Sequence, residues 1–117
     1  MRFCANVSIL FRDAPLLDRF DRAARAGFEA VELWWPAGED LAAVERRIKD
    51  AGLAVALMNF AGGDLAAGDR GLAADPDRFR LFRENVPVAL DLASRTGCRR
   101  LNALVGKELP GLDRDRQ

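Results

Sequence analysis

Leu53-Ala-Val-Ala-Leu-Met-Asn-Phe-Ala-Gly-Gly-Asp-Leu-Ala-Ala-Gly-Asp-Arg-Gly71 is the stretch on which the reading of this chain turns. Its first part, Leu53 to Asn59, is an apolar run of strand length that starts directly after Gly52, and it reads as a buried strand. Its second part holds four glycines, two aspartates and one arginine before the next helical pattern begins. Compact domains usually join a strand to a helix with only a few residues, so a connection this long reads as a lid or binding loop. A tolerated insertion is the competing reading.

Upstream of that strand, Ala51-Gly52-Leu53 is one of three similar joints; the others are Ala26-Gly27-Phe28 and Thr96-Gly97-Cys98. Each ends a helical pattern on glycine and enters an apolar run at once. Strands are expected at 3–8, 28–34, 53–59 and 100–105. Asp13, two residues before Pro15, is placed to cap a first helix carrying Leu17, Phe20 and Ala24 at helical spacing. Asp40 is placed to cap a second, with Leu41, Val44, Ile48 and Ala51 on one stripe. Asp75-Pro76 opens a third, with Phe79, Phe82, Val86 and Leu90 expected to face inward and Pro87 expected to kink it or shift its axis. Strands alternating with helices at this rhythm imply βαβ units and a parallel sheet, an α/β fold. The two architectures that fit are a doubly wound sheet and a (β/α) barrel.

Side-chain parity favours the barrel. If Asn6, Glu32, Asn59 and Asn102 share one face of the sheet, alternation adds Cys4, Ser8, Ala30, Val55, Leu57 and Arg100 to it. The opposite face then receives Phe3, Val7, Val31, Leu33, Met58, Leu101, Ala103 and Val105, nearly all apolar, as a helix-covered outer wall should be. About four parallel strands and three helices make half of a (β/α)8 TIM barrel, which typically takes about 250 residues. The expected organisation is therefore an N-terminal half barrel over 1–106 and a charged tail over 107–117 that starts a truncated fourth helix. An isolated half barrel leaves sheet edges open, and these are a route to homo-oligomers.

Composition narrows the function classes. The chain has 117 residues, half of them hydrophobic, with Lys plus Arg and Asp plus Glu both at 18 and a formal net charge of zero. That gives no electrostatic case for a nucleic acid or an anionic membrane partner. No apolar run approaches the length of a membrane span and no signal peptide is evident, so the expected location is cytoplasmic. Cys4 and Cys98 lack C-x-x-C spacing and read as buried free thiols. Histidine is absent, which removes the commonest catalytic base and transition-metal ligand.

The candidate site residues are Asn6, Glu32, Asn59, Arg70 and Asn102. Glu32 could act as base, metal ligand or partner for a substrate hydroxyl; equally, Arg100 or a loop amide could satisfy it. The three asparagines are neutral donors and acceptors suited to orienting a small polyol or keto acid, although single asparagines at strand ends are usually turn residues. Arg70 carries a planar fork suited to a carboxylate or phosphate, unless it is locked to Asp64 or Asp69. Trp34-Trp35 could wall a ligand site or pack on a neighbouring subunit. The glycines match neither G-x-x-x-x-G-K-[ST] nor G-x-G-x-x-G, so the loop is not a phosphate loop.

Ala5-Asn6-Val7-Ser8, Ala26-Gly27-Phe28 running into Val31-Glu32, Asn59 with Gly63-Asp64 and Gly68-Asp69-Arg70-Gly71, and Leu101-Asn102 with Leu104 and Gly106 carry a resemblance. Together they resemble the hydroxypyruvate isomerase family, within the xylose-isomerase-like (AP-endonuclease-type) TIM barrels. Asp69 departs from the glutamate more usual before Arg-Gly in that family, which would shorten its reach to a ligand. The resemblance implies an enediol-type aldose–ketose isomerisation of a small hydroxy-oxo acid, such as hydroxypyruvate or a 2-oxo-tetronate. It also implies catalytic glutamates and ligands for a divalent cation, Mg or Mn, on later strands of the complete barrel, so no catalytic or metal residue and no cofactor is assigned to this chain. The expectation is an isomerase-like fragment, inactive alone. The alternative is a non-catalytic half barrel that assembles with itself or a partner chain.

Overall fold

The structure, a computed structural model, describes residues 3–111 and 113. Its elements alternate without exception: β1 (Ala5–Asn6), α1 (Leu16–Arg25), β2 (Ala30–Leu33), α2 (Leu41–Asp50), β3 (Ala54–Asn59), α3 (Phe79–Thr96) and β4 (Leu101–Asn102). All strand pairs are parallel, and the sheet order is β1-β2-β3-β4. A doubly wound sheet reverses its order at a switch point, whereas a barrel wall runs on sequentially. This is a wall segment of a TIM barrel. Among the described residues, β1 pairs only with β2 and β4 only with β3, so two edges stay open.

The three glycine joints share one physical device. Gly27, Gly52 and Gly97 hold φ of 87°, 68° and 69°. The next residue's N–H then bonds back into the last helical turn: Phe28 to the carbonyl of Ala23 at 3.1 Å, Leu53 to Ile48 at 3.1 Å and Cys98 to Ala93 at 2.8 Å. Each helix is thereby stopped and turned straight into its strand. Asp40 caps α2 as expected, its carboxylate accepting from the Ala42 N–H at 2.9 Å. Asp13 does not cap α1: Pro15 takes the cap position, and Asp13 instead pairs with Arg22 at 2.5 Å. The proline φ suits the helix entry, and α1 starts without a side-chain cap.

Helices α1, α2 and α3 lie side by side over one face of the sheet, and the core fills that layer with Phe20, Val31, Leu33, Val44, Ile48, Met58 and Leu92. Strict alternation fails in β3. Val31 pairs with Val55 but Glu32 pairs with Leu57, so Ala56 is an extra residue, a bulge. Val55 is therefore on the helix side with Met58, contrary to the expected parity, while Leu57 and Asn59 remain opposite. Phe3, Ala103 and Val105 are exposed rather than part of the outer wall, because the edge strands β1 and β4 are only two residues long and no helix reaches past them. Cys98 is buried, but Cys4, ahead of β1, is exposed.

Helix α3 also differs from expectation. It begins at Phe79, after a turn in which Asp75 accepts from Asp77 N–H, rather than at Asp75-Pro76, and Pro87 lies inside it. Its buried residues, Ala89, Leu92 and Ala93, lie in the second half, where it packs on α2 and β3. Phe79 and Leu90 are exposed; a 79–82–86–90 stripe drifts off the face that 82, 89, 92 and 93 share. The turn of helix expected in the tail falls largely outside the described residues; Pro110 and Gly111 form a turn.

Candidate functional site

Asn6, Glu32, Asn59 and Asn102 stand at or beside the C-terminal ends of the four strands, and the register puts them opposite one another in pairs, Asn6 with Glu32 and Asn59 with Asn102. The side chains follow the backbone. Asn6 Nδ2 donates to Glu32 Oε1 at 2.6 Å, and Asn102 Nδ2 donates to Asn59 Oδ1 at 3.2 Å. Glu32 is thus held by Asn6, not by Arg100 or a loop amide. Asn6 Oδ1 in turn accepts from the Ser8 N–H at 3.0 Å, and Ser8 Oγ accepts from the Trp34 N–H at 2.8 Å. One chain of hydrogen bonds therefore joins the exits of β1 and β2 and fixes where Trp34 leaves the sheet. The two tryptophans part there: Trp35 packs against the core, and Trp34 stays exposed.

The glycine loop is tied rather than loose. Asp64 N–H donates to Asp69 Oδ2 at 2.7 Å, Ala67 N–H to Asp64 Oδ1 at 2.9 Å and Gly71 N–H to Gly62 O at 3.0 Å. At its start, the Ala61 N–H donates to Asn85 Oδ1 on α3 at 2.8 Å, and Phe60 meets Phe82 edge-on at 5.4 Å. At its end, Gly71 bridges Val105, and the Ala74 N–H donates to Val105 O at 2.7 Å. A Cβ on Gly71 would lie 2.0 Å from the Leu104 carbonyl oxygen, so only glycine lets the two backbones approach this closely.

Arg70 is not locked to either aspartate carboxylate. Its Nη1 donates to the backbone carbonyls of Asp69 at 2.6 Å and Leu65 at 3.3 Å. The counter-ion of Asp69 is Arg78, whose Nη1 and Nη2 bind the carboxylate in a fork at 2.8 and 2.5 Å. Arg78, then the Asp64 N–H, hold the Asp69 carboxyl down from 3.8 to about 2. Asp69 is committed to the loop's own structure, whereas Arg70 has no carboxylate partner among the described residues. Arg70 lines a cleft of about 530 Å3 with Ser8, Arg12, Trp34, Asn59, Leu65, Ala66 and Leu104. The size is ordinary for a small-molecule site, and the lining mixes four apolar side chains with four polar or charged ones.

Of the five sequence candidates, Asn59 and Arg70 line this cleft, and Asn6 and Glu32 reach it through Ser8 and Trp34. Asn102 is joined to Asn59 but does not itself line the cleft. Sequence reasoning passed over Arg12, Asn85 and Arg78. The last could have been found as the basic residue nearest the loop on its helix side. Among the described residues no three Asp, Glu, Cys or His side chains gather as a cation would need, and Glu32 is the one carboxylate among the strand-end candidates. These residues alone do not fit a divalent cation, which takes six or more oxygen ligands or keeps several waters.

The matches to known proteins run along the same outline. Residues 20–117 match the xylose isomerase-like TIM barrel family. The chain belongs to that family. Among xylose isomerase-like barrels it is similar to the 2-oxo-tetronate isomerase of Pectobacterium atrosepticum, at 40% identity over 97% of this chain and 44% of the relative. It is similar also to the hydroxypyruvate isomerase of Escherichia coli K12, at 39% identity over 95% of this chain and 43% of the relative. The crystal structure of an AP endonuclease, family 2, from Brucella melitensis superposes with a TM-score of 0.86 at 43% identity, covering 98% of this chain and 44% of that one. The chain thus spans somewhat under half the length of the relatives it matches. Among the described residues no helix is long and apolar enough to cross a membrane.

Proposed function

We propose that this chain forms the substrate-side rim of a barrel that isomerises a small hydroxy-oxo acid, such as hydroxypyruvate or a 2-oxo-tetronate, by enediol-type aldose–ketose chemistry. The observation that carries the reading is Arg70: a guanidinium without a carboxylate partner among the described residues, in the same cleft as Asn59 at the exits of the strands. The fork of an arginine matches a carboxylate in two parallel hydrogen bonds. The amides of Asn59 and Asn102 and the Asn6–Glu32 pair supply donors and acceptors for the hydroxyl and carbonyl groups that such a ligand carries along its short chain. Two relatives named for isomerisation of compounds of this class support the assignment.

Moving a proton between adjacent carbons needs a base and an acid within hydrogen-bond reach. Glu32 is the one carboxylate among the candidate residues, and its Oε1 is already engaged by Asn6. We assign the proton shuttle and the divalent cation, which the resemblance implies, to other parts of the complete barrel, so on this reading the chain alone is incomplete as a catalyst. Purified chain with hydroxypyruvate and Mg2+ or Mn2+ is expected to show no turnover, while still binding the acid in a manner weakened by Arg70→Gln. Robust isomerisation would overturn the incompleteness, and absence of acid binding would overturn the substrate assignment.

The second reading is a non-catalytic half barrel paired with itself or a partner chain. It is favoured by the open edges of β1 and β4, beside which Phe3 and Val105 are 71% and 64% exposed. A homogeneous dimer in sedimentation velocity would support it, and a monodisperse monomer would count against it.

A further inference from the structure

We propose that Arg12 is a specificity-determining residue of the cleft: with Arg70 it makes the cavity an anion site that selects acids over neutral sugars. This rests on the reading of the cleft as the substrate site and adds the residue that decides its preference. Arg12 lines the same cleft of about 530 Å3 as Arg70, Asn59 and Ser8, and it comes from the loop after β1, whereas Arg70 comes from the loop after β3. Among the described residues it makes no ion pair and no side-chain hydrogen bond, so nothing there compensates its charge.

The backbone around it is built for that placement. Directly after β1 the N–H groups of Ile9 and Leu10 both turn back onto the Asn6 carbonyl, at 3.2 and 2.9 Å. Phe11 then adopts φ of 58°, the one non-glycine positive φ among the described residues. A left-handed conformation at a bulky residue is unfavourable and persists where surrounding structure over-determines it. Here the Phe11 ring packs against the core and its carbonyl accepts from the Ala14 N–H at 3.0 Å, which leaves Arg12 on the cleft side. Two guanidiniums without carboxylate partners among the described residues, one on each of two loops, attract a carboxylate by charge and offer a neutral ketose no such gain.

Glycerate and glycerol are a matched pair of probes, alike in size and differing in one carboxylate. Their binding to the 15N-labelled chain is read by chemical-shift titration, with melting temperature as the check on folding; Arg12 is exposed. Glycerate is expected to bind at least tenfold tighter than glycerol. Arg12→Gln is expected to weaken glycerate roughly tenfold, the scale of one charge-assisted hydrogen bond, and to leave glycerol unchanged. Arg12→Lys, which keeps the charge but not the fork, recovers part of the loss. If Arg70→Gln weakens glycerate and Arg12→Gln does not, the cleft is the acid site and the role of Arg12 is refuted. If glycerate fails to bind the unmodified chain, both the site and the role of Arg12 are refuted.

Discussion

Replacing Gly71 by alanine tests whether the loop is tied to the exit of β4. The added Cβ would stand 2.0 Å from Leu104 O, 2.4 Å from Leu104 C and 2.6 Å from Gly106 N, all backbone atoms that cannot rotate away. The φ of 132° is itself closed to residues with a side chain, at about 1–3 kcal/mol for a strained conformation. Relieving the overlap means drawing the loop off β4, which gives up the Gly71–Val105 bridge and the 2.7 Å bond from Ala74 N–H to Val105 O. Two such hydrogen bonds add about 2 kcal/mol, for a total of about 3–5 kcal/mol. Gly97→Ala is the control: φ is 69° but nothing lies within 4 Å of its Cβ, so the loss is the left-handed strain alone, about 1–2 kcal/mol. At roughly 4 °C per kcal/mol for a chain of this size, thermal melts monitored by circular dichroism separate the two. Exchange of the Ala74 amide should quicken in Gly71→Ala and not in Gly97→Ala. If Gly71→Ala lowers neither the melting temperature nor Ala74 protection more than the control does, the close approach of residues 71 and 104–106 is refuted.

The Asp69–Arg78 fork makes a pH-dependent contribution whose sign is set by the depressed carboxyl. It is fully present above the unfolded value of 3.8 and is lost as pH falls through about 2. Carboxyl NMR titration of Asp69 should give a midpoint near 2, moving up toward 3.8 in Arg78→Leu; a midpoint unchanged by that substitution would rule out the pairing. Asp40→Ala is expected to destabilise by about 1 kcal/mol through loss of the α2 cap, and Asp13→Ala by less, since Asp13 only pairs with Arg22 in solvent. Equal drops in melting temperature for the two variants would contradict that distinction.

How far the fold was legible depends on how local its causes are. The three helix-stopping glycines announce their joints because a left-handed residue is the local solution to ending a helix, and the strands come directly after them. Asp40 reads correctly for the same reason. The bulge at Ala56 does not, because an extra residue in β3 is defined only by its partners in β2; nothing in Ala-Val-Ala-Leu distinguishes it from even alternation. The stripe on α3 fails because Phe79 and Leu90 lie at its margin, turned away from the face whose Ala89, Leu92 and Ala93 are buried, and which face is buried is set by α2 and β3 rather than by local spacing. In the site, Arg70 is singled out by its glycine-rich setting, while Arg12 is one arginine among many until the φ of Phe11 shows where it is aimed.

The loop's bonding changes what kind of site this is. A mobile lid would bring Arg70 to a ligand only on closure, and binding would bear the entropy of ordering the loop. Here the charge of Asp69 is spent on Arg78, the ends of the loop are fastened to α3 and β4, and the two carbonyls that accept from Arg70 hold its fork in place. The carbonyls orient the guanidinium without neutralising it, which is the arrangement a preformed anion site requires. If Arg70 is the acid-binding group proposed above, substitutions at the residues that fasten the loop, such as Gly71, Arg78 or Asn85, should weaken acid binding without touching the ligand, because its guanidinium is held in a fixed position rather than a moving one.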